Sequence, residues 1–266
     1  MLHDISSRVA LLLVEGEDSA KFLQGQLTND INLLNTEQFI YAAYLNVKGR
    51  VLANFIICKI DVNKYILLTD ISLIESVSSK LKMFILRSKV SIKQLDATIF
   101  LTSTLVENNI NIQLSPNLYL NYTQDIIQNK TNAANEFDSF LVQHGVAFIN
   151  KSLEDTFIPQ HLNLDLLNAV NFKKGCYVGQ EIVARTHYLG KVKRRMFKFS
   201  STIPTSIGQN LYSPLHANQS VGQIVNLAKI DNNLNSGLIS VIDEYKNEVF
   251  LDEDCTQKIN VIEIGY

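Results

Sequence analysis

The chain has 266 residues, 46% of them hydrophobic and 19% charged, with a formal net charge of -2. That length allows a large apolar core without staples, the composition excludes a disordered or fibrous polymer, and the near-neutral total excludes bulk attraction to nucleic acid. Three cysteines, Cys58, Cys176 and Cys255, are too few and too widely spaced for a disulfide framework or a zinc knuckle, so a reducing compartment is expected.

Residues 9–14 form an apolar run that reads as a buried strand. Flanked by Asp4, Arg8, Glu15 and Glu17, it is too short for a secretion signal or a membrane span. No other stretch approaches the ~20 apolar residues a membrane helix needs, so the chain is expected to be soluble and cytoplasmic, with no membrane partner. Glu17-Asp18-Ser19 starts a helix carrying Phe22, Leu23 and Leu27 on one face. Strands follow over residues 41–46 and 51–60, joined by Val47-Lys48-Gly49-Arg50, where Gly49 supplies the positive φ of a tight hairpin. A turn at Asp61-Val62-Asn63 leads to a strand over 65–69. Ile74, Val77, Leu81, Phe84 and Ile85 then predict an amphipathic helix over 71–86.

The Asn- and Gln-rich segment 107–135, with Pro116, reads as loops and short strands at a subdomain junction. Short helices return over 137–168. From Arg195 onward, β-rich runs at 196–200, 221–227, 238–242 and 259–264 alternate with turn signals such as Ser213-Pro214 and Asp231-Asn232-Asn233, which fits a small antiparallel barrel or sandwich. There is no internal repeat and no linker-like tract.

Residues 171–198 carry the most information. They hold eight Lys or Arg and one Glu, a local charge of +7 that leaves -9 for the rest of the chain. Such a patch suits phosphates, an RNA backbone or the carboxylates of a polyglutamylated cofactor, or equally a solvated strand whose lysines protect a sheet edge. Within it, Cys176 stands between Gly175 and Gly179, after Lys173 and Lys174 and just before a helix start near Gln180, a setting that favours thiolate and argues against deep burial. Cys58, inside the apolar run 55–60, reads instead as a small buried hydrophobe. Glu181 and Arg185 are four apart: either a surface pair, or an acceptor and an anchor for a ligand.

The run Lys174-Gly175-Cys176-Tyr177-Val178-Gly179-Gln180-Glu181-Ile182-Val183-Ala184-Arg185, followed by Tyr188, Gly190 and Lys193-Arg194-Arg195, resembles the signature of the YgfZ family. Further family blocks stand in order: residues 22–30 (FLQGQLTND), 48–51 (KGRV), 86–90 (LRSKV) and 159–165 (PQHLNLD). The resemblance covers residues 10–225. It implies an α+β fold of the aminomethyltransferase (GcvT)-like, folate-binding kind, with two α+β subdomains over 1–195 and a C-terminal antiparallel β-barrel over 196–266. It also implies tetrahydrofolate or a derivative as cofactor, iron–sulfur enzymes or assembly factors as partners with tRNA as a further one, and a monomer. Cys176 is then the candidate reactive thiol, and Val9, Phe137, Lys174, Tyr177, Gln180, Glu181, Arg185, Tyr188 and Arg194 the candidate cofactor-binding residues.

Two departures matter. The related glycine-cleavage aminomethyltransferases carry an acidic pair where this chain has Ala53-Asn54, and family members can line the folate pocket with tryptophan, of which this chain has none. Phe137 stands at one such place and Val9 at the other. The expectation is therefore an accessory protein without self-contained catalysis. A folate-dependent one-carbon transferase and a tRNA-binding module using the basic strand 191–198 are the alternatives. No Walker motif, dinucleotide fingerprint, nucleophile elbow or metal-spaced His pair is present, and His161 and His187 read as structural.

Overall fold

The computed structural model describes residues 2–35, 38–107, 109–125, 127–216, 219–231 and 234–266. In chain order its elements are β1 (Leu2–Asp4), β2 (Val9–Glu15), α1 (Ser19–Gln26), β3 (Phe39–Leu45), β4 (Val51–Asp61), β5 (Lys64–Asp70), α2 (Ile74–Lys82), β6 (Ser91–Leu95), β7 (Thr98–Thr102), β8 (Ile112–Ser115), β9 (Leu118–Thr123), β10 (Lys130–Asn132), α3 (Ala134–Gln143), α4 (Gln180–Tyr188), β11 (Arg194–Ser201), β12 (Asn210–Leu211), β13 (Gly222–Lys229), β14 (Asn235–Ile242) and β15 (Asn260–Ile262). The architecture is α+β, as expected. Three five-stranded sheets run in the orders β3-β4-β5-β2-β6, β10-β1-β7-β9-β8 and β12-β13-β14-β11-β15. Every ladder is antiparallel except that of β1 with β10.

The first sheet is buried on both faces, which is why its strands read as continuous apolar runs instead of alternating. In β2, Ala10, Leu12 and Val14 point into one core with Phe22 and Leu23 of α1 and Val77 and Leu81 of α2. Val9 and Leu11 point into a second core, shared with Ile99 and Leu101 of β7, Leu120 of β9 and Phe137 of α3. Strands β4 and β5 divide in the same way, with Phe55 and Leu67 on the first face and Ile56, Cys58 and Leu68 on the second. A third core, built around Phe197, Phe199, Ile239 and Val241, belongs to the C-terminal sheet. Each such fully buried side chain contributes ~1.5–3 kcal/mol.

The expected extent of one helix needs correction. The helix expected over 71–86 is a 3-10 turn at Ile71–Leu73 followed by α2, which stops at Lys82. The Asp70 carboxylate accepts from Ser72 N and fixes the turn, while Leu86 takes a φ of 47°, which no helix allows. The apolar spacing runs past the helix because Phe84 continues it while standing 44% exposed. Segment 107–135 carries the short strands expected there, β8, β9 and β10, all of which belong to the second sheet. Strands β1, β6 and β7 were not foreseen, although Ser91–Leu95 and Thr98–Thr102 carry β-branched residues.

In the C-terminal region the expected strands form a sheet whose continuous ladder is open among the described residues. The closed antiparallel barrel expected over 196–266 is therefore not formed among the described residues, where only isolated bridges, Tyr212 with Phe250 and Phe250 with Lys258, lie beside the two edge strands. Of the turn expected at 231–233, Asn232 and Asn233 lie outside the described residues.

Candidate functional site

The Cys176 loop is built from behind by the segment after α1. Thr28 Oγ1 donates to Ala169 O at 2.7 Å and accepts from Ala43 N at 2.8 Å, and Asn29 Nδ2 donates to Tyr41 O and Asn168 O, both at 2.8 Å. Asn171 then turns the chain, its Oδ1 accepting from Lys173 N at 2.8 Å and Lys174 N at 3.0 Å. The Lys174 ammonium reaches inward and donates to Leu27 O and Asn29 O, each at 2.7 Å. At 9% exposure, burial pulls its pKa down to about 8, against a partial offset from Asp30. Two sequence blocks 145 residues apart are thus tied by one buried cation. Of the residues concerned, Thr28, Asn29 and Asn171 entered the sequence reading only as parts of blocks, because their partners are backbone groups far along the chain.

Held this way, the loop turns Cys176 outward and Tyr177 inward. The thiol is exposed, whereas Tyr177 is buried, its hydroxyl pushed up to about 12 by desolvation. Gly179 follows at a φ of 79° and caps α4. A Cβ on Gly179 would lie 2.4 Å from Asn46 O, and one on Gly49, at the hairpin turn between β3 and β4, would lie 2.8 Å from Ile182 Cβ. Only glycine at both places lets the hairpin turn and the helix start meet.

That docking brings Arg50 to the same side as Arg194, Arg195 and His161. Gln160 Nε2 donates to Val183 O at 2.8 Å, which anchors the Pro159–Leu162 turn, and hence His161, to α4. Arg195 NH1 bonds both oxygens of Asp165, at 2.7 and 3.0 Å. Arg50 donates to the carbonyls of Asp155 and Thr156. Arg194 is half-buried, and its guanidinium has neither a carboxylate partner nor a hydrogen bond among the described residues; burial lowers its pKa. His161 is held neutral, its pKa pulled down to about 4 by burial first and then by the charges of Arg194, Arg50 and Arg195. Desolvated positive charge without its counter-ion is what an anion site requires.

The other candidate residues are divided. Gln180 and Glu181 stand in the first turn of α4, while Arg185 and Tyr188 lie further along it and are exposed. Glu181 and Arg185 make no ion pair among the described residues, so the surface-pair reading has no contact behind it. Val9 and Phe137, at 1% and 0% exposure, lie in the second core, whereas Tyr177 and Val183 lie in the first, so the structure does not gather them with the Cys176 loop. They flank a part-buried ion pair instead, Arg8 Nε to Asp138 Oδ1 at 2.8 Å.

The Asn54 side chain is committed to backbone hydrogen bonds. It is 3% exposed, its Nδ2 donates to Ala147 O, and its Oδ1 accepts from Ile149 N at 3.0 Å. On the other side of the same extended segment, Asn226 Oδ1 accepts from Phe148 N and its Nδ2 donates to Phe148 O, both at 3.0 Å. Two asparagines therefore stand in for missing sheet neighbours, which a carboxylate at 54, having no donor, would not do. Among the described residues, no group of three or more His, Cys, Asp or Glu could hold a metal ion, and no helix is long and apolar enough to cross a membrane.

No family model matches the chain. It is similar to an uncharacterized protein of Haemophilus influenzae, 31% identical over 232 residues that cover 83% of this chain and 82% of that one. It is also similar to the tRNA-modifying protein YgfZ of Buchnera aphidicola subsp. Schizaphis graminum, 28% identical over 94% of this chain and 86% of the relative. The mitochondrial iron-sulfur cluster assembly factor IBA57 homolog of Mycosarcoma maydis is 29% identical over 70% of this chain and 54% of the relative. Among solved structures, glycine cleavage system aminomethyltransferase T from Bartonella henselae superposes with a TM-score of 0.76 at 15% identity, covering 98% of this chain and 84% of that one, a likeness of fold.

Proposed function

The chain belongs to the YgfZ family, and from that premise we propose that it is a folate-binding accessory protein that supports iron–sulfur enzymes, and through them the modification of some tRNAs. The observation that carries the reading is Arg194: a half-buried guanidinium without a carboxylate among the described residues, beside Arg50 and a neutral His161, adjoining the helix that follows an exposed thiol. The donor set suits a ligand that bears carboxylates, as the glutamyl tail of tetrahydrofolate does. Arg194 and Arg50 would hold the tail, and Gln180 and Glu181 would meet the amide and amino edges of the pterin. Cys176 stands at the rim as the reactive thiol. When bound, tetrahydrofolate supplies a one-carbon carrier. Residues 1–195 form the folate-binding region in this reading and residues 196–266 the C-terminal unit.

The names of two relatives support the wider role, one modifying tRNA and the other assembling iron–sulfur clusters. A transferase is disfavoured because Asn54 is committed to the backbone of residues 147 and 149 and no carboxylate takes its place. Calorimetric titration with tetrahydrofolate tests the cofactor. Binding that weakens about 10- to 150-fold in Arg194→Gln, the loss of one hydrogen bond to a charged group, is expected. Absence of binding at high micromolar ligand would overturn it. In cells, Cys176→Ala should reduce an iron–sulfur-dependent tRNA modification, and unchanged modification removes the thiol from the reading.

A further inference from the structure

The +7 segment does not fold into a uniformly basic strand. Arg195 is neutralised by Asp165, Lys174 is spent on two buried carbonyls, Lys198 Nζ donates to Gln143 O at 2.6 Å, and Arg194 is half-buried. The cations of this segment whose side chains are exposed, with neither hydrogen bond nor ion pair among the described residues, are Lys173, Arg185, Lys191 and Lys193. Arg185 and Lys191 line the C-terminal end of α4, Lys193 follows two residues on, and Lys173 adjoins Phe172, which belongs to an aromatic group that reaches the surface there. The His187 ring lies on Phe172 with centroids 3.7 Å apart and planes 14° from parallel. Tyr188 stands edge-on to both, at 4.7 Å from His187 and 6.1 Å from Phe172, and is 64% exposed. Arg185, Leu189 and Lys191 line an open cavity of about 420 Å³ on the same helix, and Leu189 is 86% exposed.

We propose that this end of α4 is a docking surface for single-stranded RNA, with a base stacked on Tyr188 and phosphates held by Lys173, Arg185, Lys191 and Lys193. The ring of Tyr188 is 64% exposed beside these unpaired cations, so one of its faces is open to a stacking partner. Exposed π surface interleaved with unpaired cations is the combination that single strands use, because bases outside a helix offer a face for stacking and a backbone for charge pairing. An acidic protein would satisfy the cations and leave the ring idle. A duplex would satisfy the cations and present no unstacked base. With Glu181 the only acidic residue in the segment, repulsion of a polyanion is small.

The surface uses none of Arg50, His161 or Arg194, so it stands independently of the folate reading, and it assigns Arg185 and Tyr188 to RNA where the family resemblance gave them to the cofactor. Fluorescence anisotropy of the full chain with a labelled RNA strand of roughly 12 nucleotides, within the usual site sizes, tests it at about 50 mM salt. Tyr188→Ala should weaken binding about tenfold, as the loss of one stacked base does, and Tyr188→Phe should keep it. Because the ring is exposed, both variants should melt with the wild type. The double variant R185Q/K191Q should lower the slope of log affinity against log salt by about 1.4, from ~0.7 per released counter-ion. No anisotropy change up to about 100 µM protein, the weak end of non-specific binding, would overturn the proposal. So would Tyr188→Ala binding like the wild type, or Tyr188→Phe losing as much as Tyr188→Ala.

Discussion

Replacing Asn54 by Asp would restore one carboxylate of the pair that aminomethyltransferases carry, and the structure predicts that it damages the fold without adding activity. The side chain is 3% exposed, with its amide donating to Ala147 O and its oxygen accepting from Ile149 N. Aspartate keeps the acceptor and loses the donor, leaving a buried carbonyl facing a carboxylate oxygen. An unsatisfied buried carbonyl costs ~1–3 kcal/mol, and desolvating the charge adds several more unless the group protonates. A loss of ~3–5 kcal/mol at neutral pH is therefore expected, and with a urea slope of ~3 kcal/mol per molar the unfolding midpoint falls by about 1–1.7 M. The introduced acid has a folded-state pKa raised by burial, so its penalty is smallest in acid, where the protonated carboxyl can donate to Ala147 O, and grows as pH rises. Urea unfolding followed by circular dichroism at acidic and neutral pH checks both points. A midpoint within roughly 0.2 M of the wild type, or a penalty independent of pH, would refute the clamp. Appearance of aminomethyl transfer to tetrahydrofolate would refute the reading of Asn54 as purely architectural.

Three further outcomes follow from the same geometry. Lys174 has a folded pKa of about 8 against an ordinary 10.5, so between those values the unfolded chain binds more protons and stability rises with pH from about 8; buried tyrosines such as Tyr177, held near 12, reverse the trend above about 10. In Lys174→Met that rise should vanish, and two orphaned carbonyls should cost ~2–4 kcal/mol at pH 7; a pH profile unchanged from the wild type contradicts the assignment. Gly179→Ala places a Cβ 2.4 Å from Asn46 O at a φ of 79°, and should lose about 2–3 kcal/mol in thermal or urea unfolding; a neutral effect would mean that the hairpin and α4 are not locked together. Native iodoacetamide labelling read by mass spectrometry should modify Cys176 first. Cys255, its pKa raised by burial and by Asp252 and Asp254, should follow, and Cys58 should label only on unfolding; faster labelling of Cys255 would speak against an accessible thiol at 176.

Local pattern carried a good part of the fold. Strands β2, β4 and β5 were legible because two-sided burial makes them uniformly apolar, and α1 because Phe22 and Leu23 fall on one face. Strands β1, β6 and β7 were missed because their stability lies in pairing with strands remote in sequence; β1 has only three residues, held between β10 and β7. The exposure of Cys176 followed from its glycine and lysine neighbours, which sequence displays.

What the residues alone determined, then, was the inventory: which runs are apolar, where glycine permits a turn, and where positive charge concentrates. Tertiary structure decided which charges remain to be used. It gave Lys174 to two carbonyls and Arg195 to Asp165, left Arg194 without a carboxylate among the described residues and Tyr188 in water, and turned Asn54 from a vacancy in an acidic pair into a clamp on the backbone. The reason is physical: a polar group's role depends on the partner and the desolvation it meets, and both are set by contacts between residues far apart along the chain.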